Sequence, residues 1–197
     1  MAQVGERIGP FQLVQRVEHG SGLELWLAAR ADDNASAEQT VWVRLVGELA
    51  DVEAARGLRQ EYEALRRIED PRVPGVLGYY AGQGALALQW AEGVRLDQVI
   101  EAARDGQVVL SPATALDITL EVAHALRSAH SLLREGGERI VHGGLRAKTV
   151  LLTVQGQVRL LGLGARHTDL DRAWSPPELL EGLPVGIEGD QWQLAAL

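Results

Sequence analysis

One stretch of the chain decides how the rest is interpreted: it reads IVHGGLRAKTVLL and occupies residues 140–152. The stretch begins with two apolar residues, passes through a loop that contains two glycines, and ends in apolar residues typical of a short strand. The loop holds Lys148, the only lysine in the sequence, but no aspartate or glutamate. A second strand is predicted at 158–161, with the turn between the two strands at Gln155 and Gly156.

Upstream of this stretch the pattern is helical. Ser111 is a favourable N-cap residue and Pro112 suits a first helical turn, so a long helix is predicted to begin here and to run to about Leu133. A shorter helix is predicted at 96–103. The apolar residues predicted to form the buried stripe of the long helix are Leu116, Leu120, Ala123, Leu126 and Leu133.

The first 90 residues are rich in predicted strands. Alternating apolar and polar residues predict a hairpin and a third strand, and two further short strands follow a helix with apolar residues at spacings of three and four. The predicted strands are 11–17, 23–28, 40–46, 76–80 and 85–90, and the predicted helix is 52–68. The first half is therefore expected to form a small antiparallel sheet with one helix.

Composition excludes several classes of protein. The net charge is −8, which disfavours a nucleic-acid or anionic-membrane surface, because such partners are usually met by clustered basic residues. The chain has no cysteine, so no disulfide or thiolate metal site is possible, and the five histidines complete no metal-ligand pattern. With no signal-like start and no long apolar run, the chain is expected to be soluble and cytoplasmic.

The order of these elements, together with local motifs, resembles the bacterial Ser/Thr protein kinases. Residues 140–152 align on the catalytic loop, whose family pattern is His-Arg-Asp-Leu-Lys-Pro-x-Asn-Val, and residues 158–164 align on the metal-binding Asp-Phe-Gly segment. Residues 175–178 are similar to Ala-Pro-Glu, and residues 41–44 to Val-Ala-Val-Lys. Any one segment is a weak signal, but many in the family order are a strong one.

The resemblance implies an α+β, protein-kinase-like bilobal fold. The expected N-lobe, residues 8–91, has a five-stranded antiparallel sheet and one helix. The expected C-lobe, residues 92–197, is mainly helical, and it is C-terminally truncated because it ends in the helix after the Pro-Pro-Glu motif. Asp190 resembles the aspartate that, in the family, bonds the backbone of the catalytic loop and holds it in place.

The residues that carry phosphoryl transfer in the family are replaced here. Phosphoryl transfer depends on positioning and on charge, supplied by an aspartate near the hydroxyl group, by metal ligands and by a lysine on the phosphates. Gly144 stands at the aspartate position, Arg146 at the catalytic-loop lysine, and Thr149 and Gly162 at the metal ligands. The resemblance therefore implies no catalytic residue and no metal site.

The nucleotide-binding positions also depart from the family. Arg44 replaces the third-strand lysine and faces Glu61, and Gly20 is the middle glycine of a poorly matching Gly-rich loop. Trp42 replaces a small alanine that lies against the adenine ring, and Leu88 lies in the hinge-like segment. An indole takes roughly the volume of an adenine, so no cofactor is expected and nucleotide binding is expected to be lost.

The expected function is a pseudokinase: a catalytically inactive kinase-like module, not an enzyme, that acts in signalling by binding proteins. Its partner is expected to be a kinase, a kinase substrate, or C-terminal helices missing from this sequence. The alternatives are an atypical ATP-binding Ser/Thr kinase that uses Arg44, Arg146 and Glu61, and a sensor of a nucleotide or small molecule. Arg44 with Glu61 is interpreted first as a structural ion pair, and His142 as a structural histidine.

Two further segments are interpreted without a catalytic role. Gly20, Ser21 and Gly22 join two strands and are expected to form a hairpin turn, not a nucleophile elbow. Thr168 could be phosphorylated, but the arginine that receives this phosphate in the family is replaced by Gly143, so the usual phosphorylation switch is not expected.

Overall fold

The computed structural model describes residues 2–20, 23–31, 40–47, 52–164 and 174–197. The chain forms two compact units, Met1–Arg66 with Gly75–Trp90, and Arg67–Pro74 with Ala91–Leu197. Segment 67–74, which the sequence pattern assigned to the N-lobe, is thus part of the second unit. Ser21, Gly22 and Thr168 lie outside the described residues.

The first unit is built on an antiparallel sheet of six strands in the order β1-β2-β3-β4-β6-β5. The strands are β1 Arg7–Ile8, β2 Phe11–Gly20, β3 Leu23–Arg30, β4 Thr40–Val46, β5 Val76–Tyr80 and β6 Ala85–Gln89. Five were predicted, and the additional strand is the two-residue β1. It joins the sheet because Ile8 pairs with Phe11 around a turn at Gly9, whose φ is 54°. The turn buries the Ile8 side chain against the core of the sheet.

The two faces of β4 pack against different parts of the first unit. Val41, Val43 and Leu45 are buried in an apolar core with residues of the neighbouring strands. Because successive side chains of a strand point to opposite faces, Trp42 and Arg44 share the other face. That face is directed at the helix of this unit, α1 Val52–Leu65.

Helix α1 ends at Leu65, three residues before its predicted end. The sequence after it is held by the second unit: Arg67 donates from Nη1 to the carbonyl oxygen of Leu133 at 2.8 Å. On α1 itself, the ring of Tyr62 stacks on that of Tyr79 in β5, with 4.7 Å between the ring centroids. This contact fixes the helix against the edge of the sheet.

The second unit contains a three-stranded sheet in the order β7-β8-β9 and four helices within the described part of the chain. The elements are β7 Gly93–Arg95, α2 Leu96–Arg104, α3 Pro112–His130, β8 Val150–Thr153, β9 Val158–Leu160, α4 Pro177–Leu180 and α5 Ile187–Ala196. Helix α3 begins as predicted: the Ser111 hydroxyl oxygen accepts from the amide of Thr114 at 3.1 Å. A 3₁₀ turn, Ala147–Thr149, precedes β8.

The predicted buried stripe of α3 is confirmed at Leu126 but wrong at Leu116, Leu120 and Leu133. Leu116 and Leu120 are 68% and 51% exposed, and Leu133 lies beyond the end of the helix. The residues that α3 does bury are Ile118, Val122, Ala125, Leu126 and Ala129. Both sets follow spacings of three and four, so the period predicts a helix but cannot choose between two apolar faces; packing chooses the face.

Segment 67–74 is tied to α3 and β9 by polar contacts. Arg72 donates from Nε to a carboxylate oxygen of Glu121 at 2.6 Å, and the Ser128 hydroxyl donates to Asp70 at 2.6 Å. The amide of Leu160 donates to the carbonyl oxygen of Arg72 at 2.7 Å. These bonds explain why the segment belongs to the second unit although it follows α1 in sequence.

Among the residues described, α3 is the only helix long enough to be considered as a membrane span, and neither it nor any shorter helix meets the length and apolarity that crossing a bilayer requires.

Candidate functional site

In the first unit, Arg44 of β4 and Glu61 of α1 form an ion pair. Arg44 donates from Nη1 to Oε1 of Glu61 at 2.8 Å, and Glu61 is fully buried. Burial raises the pKa of the Glu61 carboxyl above its ordinary value, while the charge and hydrogen bond of Arg44 act against that rise. In the described part of the chain, Oε2 of Glu61 has no hydrogen-bond partner. The pair joins α1 to β4 of the sheet, and its purely structural role stays a prediction.

Trp42 lies two residues before Arg44 on β4, on the same face of the strand. It is directly opposite Leu27 of β3 on one side and Leu88 of β6 on the other. Leu88 is buried and Trp42 is half-buried. The structure therefore brings Trp42 and Leu88 together, two residues along β4 from Arg44, and the replacement of an adenine by the indole stays a prediction.

Gly20 is the last residue of β2 and pairs with Leu23 at the start of β3. This pairing is the end of a β-hairpin, as predicted, although the residues of the turn itself are not described. Gly20 therefore lies at the far end of the β2–β3 ladder from Phe11, which pairs with Arg30.

In the second unit, residues 142–149 form a loop held by α5. The two carboxylate oxygens of Asp190 accept from the amides of His142 and Gly143, each at 2.8 Å. Oδ2 also lies 2.8 Å from Nε2 of His130. Burial opposes ionisation of Asp190, but the bonds from His130 and from the two amides lower the pKa of this carboxyl below its usual value. The retained aspartate therefore fixes the shape of the loop.

His142 has a structural role, and its neighbours determine its tautomer. The amide of Gly144 donates to Nδ1 at 3.2 Å, so Nδ1 must be an acceptor, and Nε2 carries the proton that it shares with the carbonyl oxygen of Leu161 at 3.0 Å. Burial lowers the pKa of this imidazole below its usual value, against the attraction of Asp190. His142 is thus a neutral link between the loop and the end of β9.

Thr149 and Arg146 close the second half of the loop. The hydroxyl of Thr149 donates to the carbonyl oxygen of Arg146 at 2.8 Å and accepts from its amide at 3.2 Å. The carbonyl oxygen of Thr149 accepts from the amide of Leu161 at 2.8 Å. The hydroxyl of Thr149 is therefore committed to the backbone of its own turn.

Gly144 and Gly162 are the other two positions where the family has catalytic or metal-binding residues. Gly144 is buried within the loop, and Gly162 follows Leu161 with a φ of 76°. That left-handed conformation is one that glycine adopts without the steric cost of a Cβ. The second unit thus gathers Gly144, Arg146, Thr149 and Gly162 around one loop and the strand end beside it.

Sequence reasoning missed two residues that hold this loop. His130, at the end of α3, contacts Asp190, and Gln193, one turn after Asp190 on α5, accepts from the amide of Leu145 at 2.9 Å. The spacing of three between Asp190 and Gln193 puts both on one face of α5, and this is the signal that could have identified Gln193.

Groups of three or more side chains suited to a metal ion are absent from the residues described. The prediction of no metal site rests on the replaced positions, and it stays a prediction.

Comparison with known proteins gives consistent results. A family model described as protein tyrosine and serine/threonine kinase matches residues 11–197. The tyrosine-protein kinase MasK of Myxococcus xanthus is 22% identical over 161 residues, which are 79% of this chain and 25% of that protein. The chain therefore spans about a quarter of the length of this curated relative.

The solved structures that resemble the chain include the kinase domain of Mycobacterium tuberculosis PknI. One such structure has a TM-score of 0.73 at 23% identity, and it covers 99% of this chain and 75% of that chain. A doubly substituted form of the same domain gives 0.75 at 24% identity, with 99% and 76% covered. At this identity the likeness shows the fold, and it confirms the kinase-like architecture.

These matches overturn the expectation that the chain is not an enzyme. The matching family is one of kinases, which are enzymes, and MasK and PknI are both kinases by name. Replaced side chains at Gly144, Thr149 and Gly162 bear on how phosphoryl transfer could proceed. They do not remove the chain from a family of enzymes.

Proposed function

The chain belongs to the protein tyrosine and serine/threonine kinase family, and from this premise we propose that it is a regulatory signalling domain that binds another protein through loop 142–149. The observation that carries the proposal is that hydrogen bonds hold this loop in one conformation. Asp190 and Gln193 bind three of its amides, and His142 ties it to the end of β9.

A loop held in this way suits recognition. Its backbone is ordered before any partner arrives, so binding costs less conformational entropy than binding to a mobile segment. The loop has no acidic side chain and carries Arg146 and Lys148, both half-buried. The chain as a whole is acidic, with a net charge of −8, which favours a protein partner over a nucleic acid. A kinase or a kinase substrate is the partner class that the family supports.

The test compares partner binding by the wild type and by Asp190→Asn, which weakens the acceptors for His142 and Gly143. A matched control is Gln191→Ala, an exposed residue next to Asp190 on the same helix. Proteins that the wild type and the control both retain from the source cells are purified singly, and their dissociation constants are measured. The proposal expects Asp190→Asn to weaken binding at least about tenfold, since both hydrogen bonds lose their charge and one of the two acceptor oxygens is replaced by an NH2 donor. Equal affinity for all three forms would reject it.

A second candidate is an atypical ATP-binding protein kinase, and one observation favours it. Arg44 and Glu61 form the pair that the family makes with a lysine, so a positive charge is held on that face of the sheet. Arginine is planar and longer than lysine, and any contact that it makes with phosphates differs in geometry from that of lysine.

Transfer of labelled phosphate from ATP to a generic protein substrate tests this candidate. Transfer by the wild type that disappears in Arg44→Ala but persists in Arg56→Ala supports it, because Arg56 is an exposed arginine of α1. Transfer that is the same in both variants excludes a role for Arg44. Binding of a partner is compatible with transfer, so the two activities are measured separately.

A further inference from the structure

Helix α5 places a second buried polar side chain beside Asp190. Gln193 is 2% exposed, and both ends of its carboxamide are used. Oε1 accepts from the amide of Leu145 at 2.9 Å, and Nε2 donates to the carbonyl oxygen of Trp174 at 3.1 Å. An amide N–H requires an acceptor and a carbonyl oxygen requires a donor, so these neighbours fix the orientation of the carboxamide.

The two groups that Gln193 binds belong to different segments. Leu145 is fully buried in loop 142–149, and Trp174 begins segment 174–178, which ends in the first two residues of α4 and includes the buried Ser175. A carboxamide is planar and rigid, so its oxygen and nitrogen move together. A shift of one segment therefore moves the group that binds the other.

We infer that Gln193 is a positioning residue that couples segment 174–178 to loop 142–149, so that displacement of the Trp174 carbonyl is transmitted to the amide of Leu145. The coupling is local to the second unit, where both segments and α5 lie. It holds whether the domain binds a partner or transfers phosphate, and it does not depend on the proposed function.

The test is a cycle of substitutions with hydrogen exchange of the Leu145 amide as the readout. Pro177→Gly loosens segment 174–178 without removing buried volume, because Pro177 is exposed and glycine adds backbone freedom. Gln193→Met keeps the length of the side chain but removes both bonds. Gln191→Met, at an exposed position of α5, is the matched control.

The expected results follow from the two bonds. Gln193→Met accelerates exchange of the Leu145 amide about fivefold, as the loss of one buried hydrogen bond predicts. Pro177→Gly alone accelerates the same amide about threefold or more, and it adds nothing in the Gln193→Met background. With Gln191→Met in place of Gln193→Met, the effect of Pro177→Gly is unchanged.

Three outcomes overturn the inference. Pro177→Gly could leave the Leu145 amide unchanged, or it could accelerate this amide equally in the wild type and in Gln193→Met. Gln193→Met could also accelerate the amides of Val43 and Leu86 in the other unit equally, which would show a general loss of stability. If Gln193→Met does not fold, Gln193→Glu replaces it, because a carboxylate keeps the acceptor for Leu145 and loses the donor for Trp174.

Discussion

The hydroxyl of Thr149 donates to the carbonyl oxygen of Arg146 at 2.8 Å and accepts from the amide of the same residue at 3.2 Å. Thr149 is buried, so the loss of its hydroxyl leaves a backbone amide without its partner. We expect Thr149→Val to lower the free energy of unfolding by about 1–2 kcal/mol, measured by urea denaturation. Thr149→Ser keeps the hydroxyl and should recover most of the loss; equal destabilisation by both would contradict the prediction.

The burial of Glu61, which outweighs the effect of Arg44 on its pKa, makes stability depend on pH in a particular direction. The folded state binds a proton on Glu61 more readily than the unfolded chain, because burial raises the pKa above its ordinary value of 4.5. Stability from this group is therefore present at low pH and declines as the pH rises above about 4.5 toward the folded pKa. In Glu61→Gln this contribution disappears.

We expect the free energy of unfolding of the wild type, minus that of Glu61→Gln, to decrease as the pH rises through this window. Denaturant titrations at several pH values measure the difference. A difference that is constant with pH would show that Glu61 ionises as it does in the unfolded chain.

His142 should act in the opposite sense. Its folded pKa lies below the ordinary value of 6.5, so the unfolded chain takes up a proton first as the pH falls. Stability is full above about 6.5 and declines as the pH falls from there toward the folded pKa. We expect the ring proton resonances of His142 to titrate below 6.5 in NMR spectra and the stability of His142→Asn to depend less on pH.

Trp42 should limit nucleotide binding. It stands between Leu27 and Leu88 on the face of β4 that also carries Arg44, where the family has a small residue. We expect Trp42→Ala to bind magnesium-ATP at least about tenfold more tightly than the wild type in an equilibrium titration, which corresponds to about 1.4 kcal/mol. Trp192→Ala, an exposed tryptophan of α5, should bind like the wild type. Micromolar binding by the wild type that Trp42→Ala does not improve would refute the prediction.

The two apolar faces of α3 can be told apart by a matched pair of leucines. Leu126 is 3% exposed and Leu120 is 51% exposed. We expect Leu126→Ala to lower the free energy of unfolding by about 2–4 kcal/mol, because it leaves a cavity in the core. Leu120→Ala should cost less than about 1 kcal/mol. Similar losses for the two variants would mean that Leu120 is covered in solution.

The local signals in the sequence were sufficient for most of the elements. The alternation of apolar and polar residues correctly predicted the strand that contains Val41 and Val43, and Ser111 with Pro112 predicted the start of α3. These signals are local, because they act between neighbours in the chain. The sequence did not reveal β1, since two residues have too little pattern to be recognised. The sequence pattern also predicted that α1 continues beyond Leu65, because the contacts that end the helix come from distant residues.

Some features of the candidate site could be predicted from the sequence, and others could not. Pairing of Arg44 with Glu61 followed from motifs in the sequence, and so did the role of Asp190. The contributions of His130 and Gln193 did not, because each depends on a contact between residues more than 45 positions apart in the chain: His130 with Asp190 of α5, and Gln193 with Leu145 of the loop. The class of protein was also predicted wrongly: the replaced side chains led to the expectation of a non-enzyme, and the matching family is one of kinases.

The sequence by itself determined most of the order of strands and helices and the kinase-like fold. These properties depend on short-range periodicity and on motifs that are read in order along the chain. Only the tertiary structure decided which face of α3 is buried, that α5 anchors loop 142–149 through Asp190 and Gln193, and that His142 is held neutral. The physical reason is that burial and hydrogen-bond partners are set by segments far apart in sequence, and the pattern of neighbouring residues carries no information about them.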